Sequence, residues 1–315
     1  MSSLLLSVVV PCFNEAQGLA RLCEETATAC RECVGPSYEI VLVNDGSTDA
    51  TLDVLRGLAQ TTPRLVIVNL SRNHGHQIAL TAGLSITKGQ RILVLDADLQ
   101  DPPDLLPAMM NLMDENEADV VYGQRLAREG ESWFKRATAS LFYRLFGALA
   151  DTPVPVDTGD FRLMSRRTVD ILATMPESSR YVRGMISWIG LKQIPLPYTR
   201  QARRTGQSGY PLGKMIHFAM EAITSFSTVP MRLASYTGAL FGVFSLALLI
   251  YVFRAWLAGE TVQGWTSLMV VVLVIGSVQL LCLGVFGEYL GRLYQESKRR
   301  PLFIIESVTR SPLSD

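Results

Sequence analysis

Two runs near the carboxyl end constrain this chain more than any other feature. Residues 233–253 carry no charge over 21 positions, and residues 261–287 carry none over 27. A helix needs about 20 apolar residues to cross a bilayer core. Inside lipid every backbone polar group must bond within the protein, so a lone span of this kind is confined to helix. Core helices of a soluble protein are the competing reading, but they rarely stay uncharged for so long. The runs therefore predict transmembrane helices at 233–257 and 265–290. A juxtamembrane amphipathic segment, 211–232, leads into the first, and a tail, 291–315, follows the second. The overall hydrophobic fraction of 48% hides this segregation.

The flanking charges set an expected topology. Arg203, Arg204, Lys214 and Arg232 precede the first run, and Arg292, Lys298, Arg299 and Arg300 follow the second. The link between them, 255–264, carries only Glu260. Excess Lys and Arg mark cytoplasmic segments, so both termini and residues 1–210 are expected in the cytoplasm, with the chain in the inner (cytoplasmic) membrane as a multi-pass protein. Arg254, at the outer end, is long enough to snorkel to the headgroups.

The first 210 residues alternate apolar strands with amphipathic helices. Strands are predicted at 6–10, 38–43, 65–70, 91–95, 119–122 and 192–199, and helices at 16–33, to about 58, to about 87 and at 103–116. A further helical region extends to about 189. This alternation, joined by short polar turns, predicts an α/β domain with a mostly parallel sheet. Ligands of such sheets sit at the carboxyl ends of the strands. Asn14, Glu15, Asp45, Arg72, Asp96 and Asp98 all follow strands and so converge on one edge.

The fourth strand is the most informative. Its apolar residues give way abruptly to Asp96, Asp98 and Asp101. Alternate residues of an extended chain share a direction, so Asp96 and Asp98 can point together. Two such carboxylates repel unless a cation stands by them, and hard oxygen ligands suit Mg²⁺ or Mn²⁺. The plainer reading is a solvated acidic turn that ends a strand.

Other classes are disfavoured. Lys plus Arg equals Asp plus Glu at 29 each, so charge makes no case for a nucleic-acid partner. No Gly-rich dinucleotide fingerprint follows the first strand, and there is no phosphate-binding P-loop. Residues 1–10 lack the basic start and cleavage site of a signal peptide. Cys30 and Cys33 have the spacing of a redox or zinc pair, but no second pair completes a metal set. Free cytosolic thiols are the expectation.

Four motifs in order carry a resemblance: residues 8–15 (Val-Val-Val-Pro-Cys-Phe-Asn-Glu), 43–49 (Val-Asn-Asp-Gly-Ser-Thr-Asp), 71–73 (Ser-Arg-Asn) and 96–102 (Asp-Ala-Asp-Leu-Gln-Asp-Pro). Together they resemble the GT-A nucleotide-sugar fold of the family-2 glycosyltransferases. With residues 157–165, the segment 221–230 and the two runs, ending at 284–292, the chain closely resembles the polyprenyl-phosphate glycosyltransferases. The bactoprenol glucosyltransferase group is the nearest match, and dolichyl-phosphate mannose synthases are wider relatives. The resemblance covers about residues 5–305. The chain departs from it at residues 73–77 (Asn-His-Gly-His-Gln), where relatives often carry an aromatic residue and then a Lys-Glu pair.

The resemblance implies roles. Asp98 would hold a divalent ion, Mg²⁺ or Mn²⁺, with Asp96 beside it and near the ribose or sugar. Asp45 would bind the nucleoside of the nucleotide-sugar donor, with Pro11, Asn14 and Glu15 lining its pocket. Arg72 would fix the base or the phosphates, and Arg203 and Ser208 would close a mobile loop on the diphosphate. Asp157 is the expected general base, with Asp160 as the alternative. On the residues alone, 132–149 is a basic amphipathic stretch that lies on a membrane or packs as a surface helix, and its Arg136 and Arg144 could attract an acceptor phosphate.

The expected reaction is inverting transfer of one hexose, glucose from UDP-glucose, to polyprenyl (undecaprenyl) phosphate. Other donors (GDP-mannose, UDP-N-acetylglucosamine, a UDP-aminoarabinose derivative) are alternatives. A polysaccharide synthase or a catalytically dead scaffold are weaker readings: the former usually needs more spans and a Gln-x-x-Arg-Trp motif, and the latter sits poorly with an intact acidic motif. The membrane, a homo-oligomer and a downstream flippase complete the expected partners.

Overall fold

The computed structural model describes residues 4–126, 158–199, 229–259 and 264–312. The chain divides into two compact units. The first contains an eight-stranded sheet and its helices, and includes the chain after residue 300. The second contains the two apolar helices.

In the first unit, β1 (Leu6–Cys12), β2 (Tyr38–Asn44), β3 (Leu65–Leu70) and β4 (Arg91–Val94) alternate with α1 (Leu19–Val34), α2 (Thr51–Thr61) and α3 (His76–Ile86). A short 3-10 turn, Pro103–Leu105, leads into α4 (Leu106–Glu115) and β5 (Val120–Arg125). Then come β6 (Thr158–Ser165), α5 (Arg166–Thr174), α6 (Val182–Ile189) and β7 (Gln193–Tyr198). The sheet order is β7-β5-β6-β4-β1-β2-β3-β8, where β8 is Ile305–Arg310.

The central strands are apolar and fully buried, as strands covered by helices on both faces must be. β1, β2, β3 and β4 pair in parallel, whereas β6 runs antiparallel to both β4 and β5. Helix α3 packs closely on β1 and β2 at Gly83, where a Cβ would lie 2.4 Å from Val9 Cγ1.

From β1 the chain order runs one way to β2 and β3, and the other way to β4. This reversal opens a crevice at the carboxyl ends of β1 and β4, the usual ligand position in open α/β sheets. The β1–β4 register ends at Val9↔Val94, and the Leu95 N–H donates to Val9 O at 3.0 Å. Pro11, which has no N–H, falls two residues later, where that ladder has stopped. A proline inside a central strand is tolerated there because no bond is lost.

Two strands differ from the sequence reading. β6 occupies a stretch for which no strand is expected, because Asp160 and Arg162 alternate with Phe161 and Leu163 and break the apolar run. Both charged residues are nevertheless buried. β8 falls in the expected tail and instead completes the sheet edge, antiparallel to β3.

In the second unit, α7 (Val229–Leu257, 29 residues) and α8 (Trp265–Ser297, 33 residues) are both long and apolar enough to cross a membrane. At 1.5 Å per residue they extend about 43 and 50 Å. Leu240, Phe244, Leu280, Leu281 and Phe286 are exposed on them. Apolar surface on this scale marks a site of membrane or protein contact. The Cys282 thiol on α8 donates to Ala234 O on α7 at 3.6 Å.

Candidate active site

The loops at the crevice are latched to one another by short polar contacts. Asn14 takes the left-handed conformation, φ 56°, which Asn tolerates. Its N–H donates to Ser47 Oγ at 3.1 Å and its Oδ1 accepts the Thr48 N–H at 2.9 Å. The Glu15 N–H donates to Thr51 Oγ1 at 3.0 Å. The loop after β1 is thereby tied to the turn after β2. Asp45, buried in that turn, accepts the N–H groups of His74 and Gly75 at 2.8 and 2.9 Å, which ties the turn to the loop before α3. Gly46 has φ 62°, and a Cβ there would lie 2.4 Å from the Arg72 carbonyl carbon and the Asn73 nitrogen. The turn can approach that loop only with glycine.

Those latches fix the start of α3, whose first residue is His76. Its Nε2 lies 3.1 Å from Asp160 Oδ2 and 3.5 Å from Asp96 Oδ1. Gln77 Nε2 donates to Asp160 Oδ2 at 2.8 Å, while Gln77 Oε1 accepts the Val182 N–H at 2.9 Å. Arg183, on α6, places Nε 3.1 Å from Asp160 Oδ1 and donates from Nη1 to Thr158 O at 2.6 Å. Burial opposes a charge on Asp160, but the His76 hydrogen bond and the Arg183 and Arg162 guanidiniums hold its carboxyl well below the usual range. Burial pushes the Arg162 guanidinium down to about 10, with Asp160 acting the other way. Asp160 is thus a clamped anion, which makes it a weak proton acceptor.

Asp96 is the counterpart. Burial pushes its carboxyl up to about 6 against the pull of His76, and Asp160, Asp101 and Asp98 add to the rise. Its Oδ1 is buried and accepts no hydrogen bond among the described residues. Asp98, half-buried, accepts the Gln100 N–H through Oδ1 at 3.2 Å, and Leu99 between them has φ 55°. The third acid of the stretch is different: Asp101 is buried, accepts the Tyr198 hydroxyl and lies 3.9 Å from Arg125 Nη2. It braces the turn against β5 and β7.

These residues fit a divalent cation. His76, Asp96 and Asp160 each offer a ligand atom within 4.8 Å of the others. An underbonded carboxylate oxygen amid like charges is what a cation relieves. Asp160 carries its hydrogen bonds from His76 and Gln77 on Oδ2, while its buried Oδ1 has the Arg183 guanidinium beside it but accepts no hydrogen bond among the described residues.

Comparison with known proteins decides the class. The profile of glycosyl transferase family 2 matches residues 7–172. The chain belongs to this family. It is a glycosyltransferase with a GT-A-like α/β domain. A second profile, the GtrB C-terminal hairpin, matches residues 229–293. Uncharacterized glycosyltransferase YkcC of Bacillus subtilis is 43% identical over 95% of this chain and 93% of its own. An uncharacterized glycosyltransferase of Synechocystis is 40% identical over 96% and 95%. The prophage bactoprenol glucosyl transferase homolog of Escherichia coli is 36% identical over 97% and 99%.

In this family 2 glycosyltransferase the structure places Pro11 near the end of β1, and Asn14, Glu15, Asp45, Arg72, Asp96 and Asp98 on the loops that follow the strands around one crevice. Arg72 is exposed there, and its Nη1 donates to Asn73 O at 3.4 Å. Asp157, Arg136, Arg144, Arg203 and Ser208 lie outside the described residues. Sequence reasoning missed the roles of His76, Gln77 and Arg183. The one available signal was the departure at residues 73–77, because that departure supplies the two side chains that hold Asp160.

Proposed function

We propose that this glycosyltransferase moves one hexose, glucose from UDP-glucose, to polyprenyl phosphate, with undecaprenyl phosphate as the specific acceptor. The observation that carries the reading is full-length similarity to proteins named for this acceptor. A Shigella phage bactoprenol glucosyl transferase is 37% identical over 96% of this chain and 99% of its own. The acidic end of β4 and the two exposed apolar helices are what such a reaction requires. Bactoprenol is the acceptor in the names of those relatives; for this chain it is the proposal.

The domains of this reading are a catalytic domain over 1–210, a juxtamembrane segment and two spans, after which residues 300–315 return to the catalytic unit through β8 rather than forming a separate tail. A divalent ion, Mg²⁺ or Mn²⁺, held by Asp96 with Asp98, as the sequence reading has it, or with His76 and Asp160, which the structure brings within ligand reach, would neutralise charge on the departing nucleoside diphosphate. The turn at Asp45–Ser47 and the loop at Pro11–Glu15 would line the nucleoside, and Arg72, with Arg203 and Ser208 by the resemblance, would bind the phosphates. Asp160, paired with His76 and Arg183, adds negative potential beside Asp96. The acceptor phosphate is already largely ionised near neutral pH, since a phosphate monoester has a second pKa of about 6. Its oxygen attacks the anomeric carbon as the donor C–O bond breaks on the opposite face, which inverts the centre. Asp157 assists as base, and Arg136 and Arg144 draw the lipid phosphate.

In this reading the site faces the cytoplasm, which the Lys and Arg flanking the two apolar runs support. That β8 follows α8 and joins the same sheet as β1 supports a topology with the chain before and after the hairpin on one side. A Cys at position 260 is expected to react with an impermeant maleimide outside intact cells, and a Cys at the exposed Ser307 to stay protected. The identity of the donor is tested with membranes given single nucleotide sugars and mass spectrometry of their lipids. UDP-glucose should yield a polyprenyl-phosphate hexose, and product only from GDP-mannose or UDP-N-acetylglucosamine would replace glucose in this reading.

A further inference from the structure

Strand β8 does more than cover an edge. It bonds to β3 with Val68 opposite Val308 and Asn69 opposite Ser307, but then Leu70 stands opposite Ile305. Glu306 is the extra residue of this bulge, and a bulge re-aims a side chain. Its Oε2 accepts from Asn69 Nδ2 at 2.7 Å. Asn69 Oδ1 in turn accepts from Asn44 Nδ2 at 2.7 Å, and Asn44 Oδ1 accepts the Ser47 N–H at 3.3 Å. Ser47 Oγ accepts the Asn14 N–H. Asn44 and Asn69 are both buried.

The ends of this relay fix its direction. A carboxylate only accepts and a backbone N–H only donates. Asn69 must therefore turn its NH₂ to Glu306 and its oxygen to Asn44, and Asn44 must turn its oxygen to Ser47. Glu306 orients two buried amides in series. A flipped amide would face a donor with a donor, which is costly where water is excluded.

We infer that Glu306 is a positioning residue for the donor, setting the turn at Asp45–Ser47 through Asn69 and Asn44. The segment after the membrane hairpin thus completes the nucleotide-sugar pocket. The strand is anchored on both sides of Glu306. Ser71 N–H donates to Ile304 O at 3.0 Å, Ser311 N–H donates to Leu65 O at 2.8 Å, and Arg310 lies 3.7 Å from the buried Glu39. This inference rests on reading that turn as donor-binding.

The test uses full-length protein in detergent with Glu306→Ala, Glu306→Gln and, as a control on the same strand, Ser307→Ala. Glu306→Ala is expected to raise the KM for UDP-glucose roughly fivefold, the worth of one hydrogen bond, with kcat and the KM for polyprenyl phosphate near wild type. Glu306→Gln, whose Oε1 still accepts, should restore the donor KM, and Ser307→Ala should not change it. Amide hydrogen exchange at Ser47 should quicken in Glu306→Ala alone, whichever sugar the enzyme uses. An unchanged Ser47 exchange rate would overturn the inference. So would a rise in both KM values that Glu306→Gln fails to reverse. Loss of UDP-glucose turnover in the wild type would instead count against the donor assignment, with the exchange result standing by itself.

Discussion

His76 Nε2 stands 3.1 Å from Asp160 Oδ2 and joins the first turn of α3 to the buried strand β6. The contact holds Asp160 beside Asp96 at the mouth of the crevice. His76→Ala removes a hydrogen bond to a charged group and should lower kcat/KM roughly tenfold. His76→Gln, which can still donate, should recover much of the loss. Steady-state kinetics on both variants check this, and equal activity of His76→Ala and wild type would show that the contact is dispensable.

Asp98→Ala should abolish most turnover while changing the melting temperature by only a few degrees, because a half-buried acidic turn adds little to the sheet. Excess EDTA should have the same effect on the wild-type enzyme, reversed by Mg²⁺ or Mn²⁺. Full activity in EDTA would remove the cation from the account.

Gly46→Ala combines an unfavourable φ with a backbone clash. A strained site of this kind costs about 1–3 kcal/mol. A lower melting temperature together with weaker donor binding is expected. A variant as stable as the wild type would mean that the turn is not pressed against residues 72–73.

Burial pushes the Cys23 and Cys30 thiols up to about 12, and Cys12 higher still. Cys33, half-buried, is raised less. The thiolate is the nucleophile, so at pH 8 the native protein should show negligible labelling at the first three and slow labelling at Cys33. Rapid modification of Cys30, or a Cys30–Cys33 disulfide under cytosolic conditions, would revive the redox reading of that pair.

The sequence revealed the parallel core because the strands from β1 to β4 are short apolar runs closed by polar turns. It hid β6, whose buried Asp160 and Arg162 look like surface residues until the site that uses them is seen. It also hid β8, since Ile305–Arg310 is a largely exposed edge strand with mixed polarity. Asp96 and Asp98 were legible from their place at the end of a strand. Asp101, three residues after Asp98, could not be told from them without the Tyr198 hydroxyl that it accepts. His76 was invisible as a partner of Asp160 because 84 positions separate them, and no local pattern encodes that distance.

Acceptor and product identity decide the central claim. Purified enzyme given UDP-glucose and undecaprenyl phosphate should release UDP and form a single product, glucose linked through one phosphate to the lipid with its anomeric configuration inverted. Mass spectrometry and NMR of that lipid make the test. Equal glycosylation of a water-soluble sugar, a product carrying a sugar chain, or a pyrophosphate link would contradict the account.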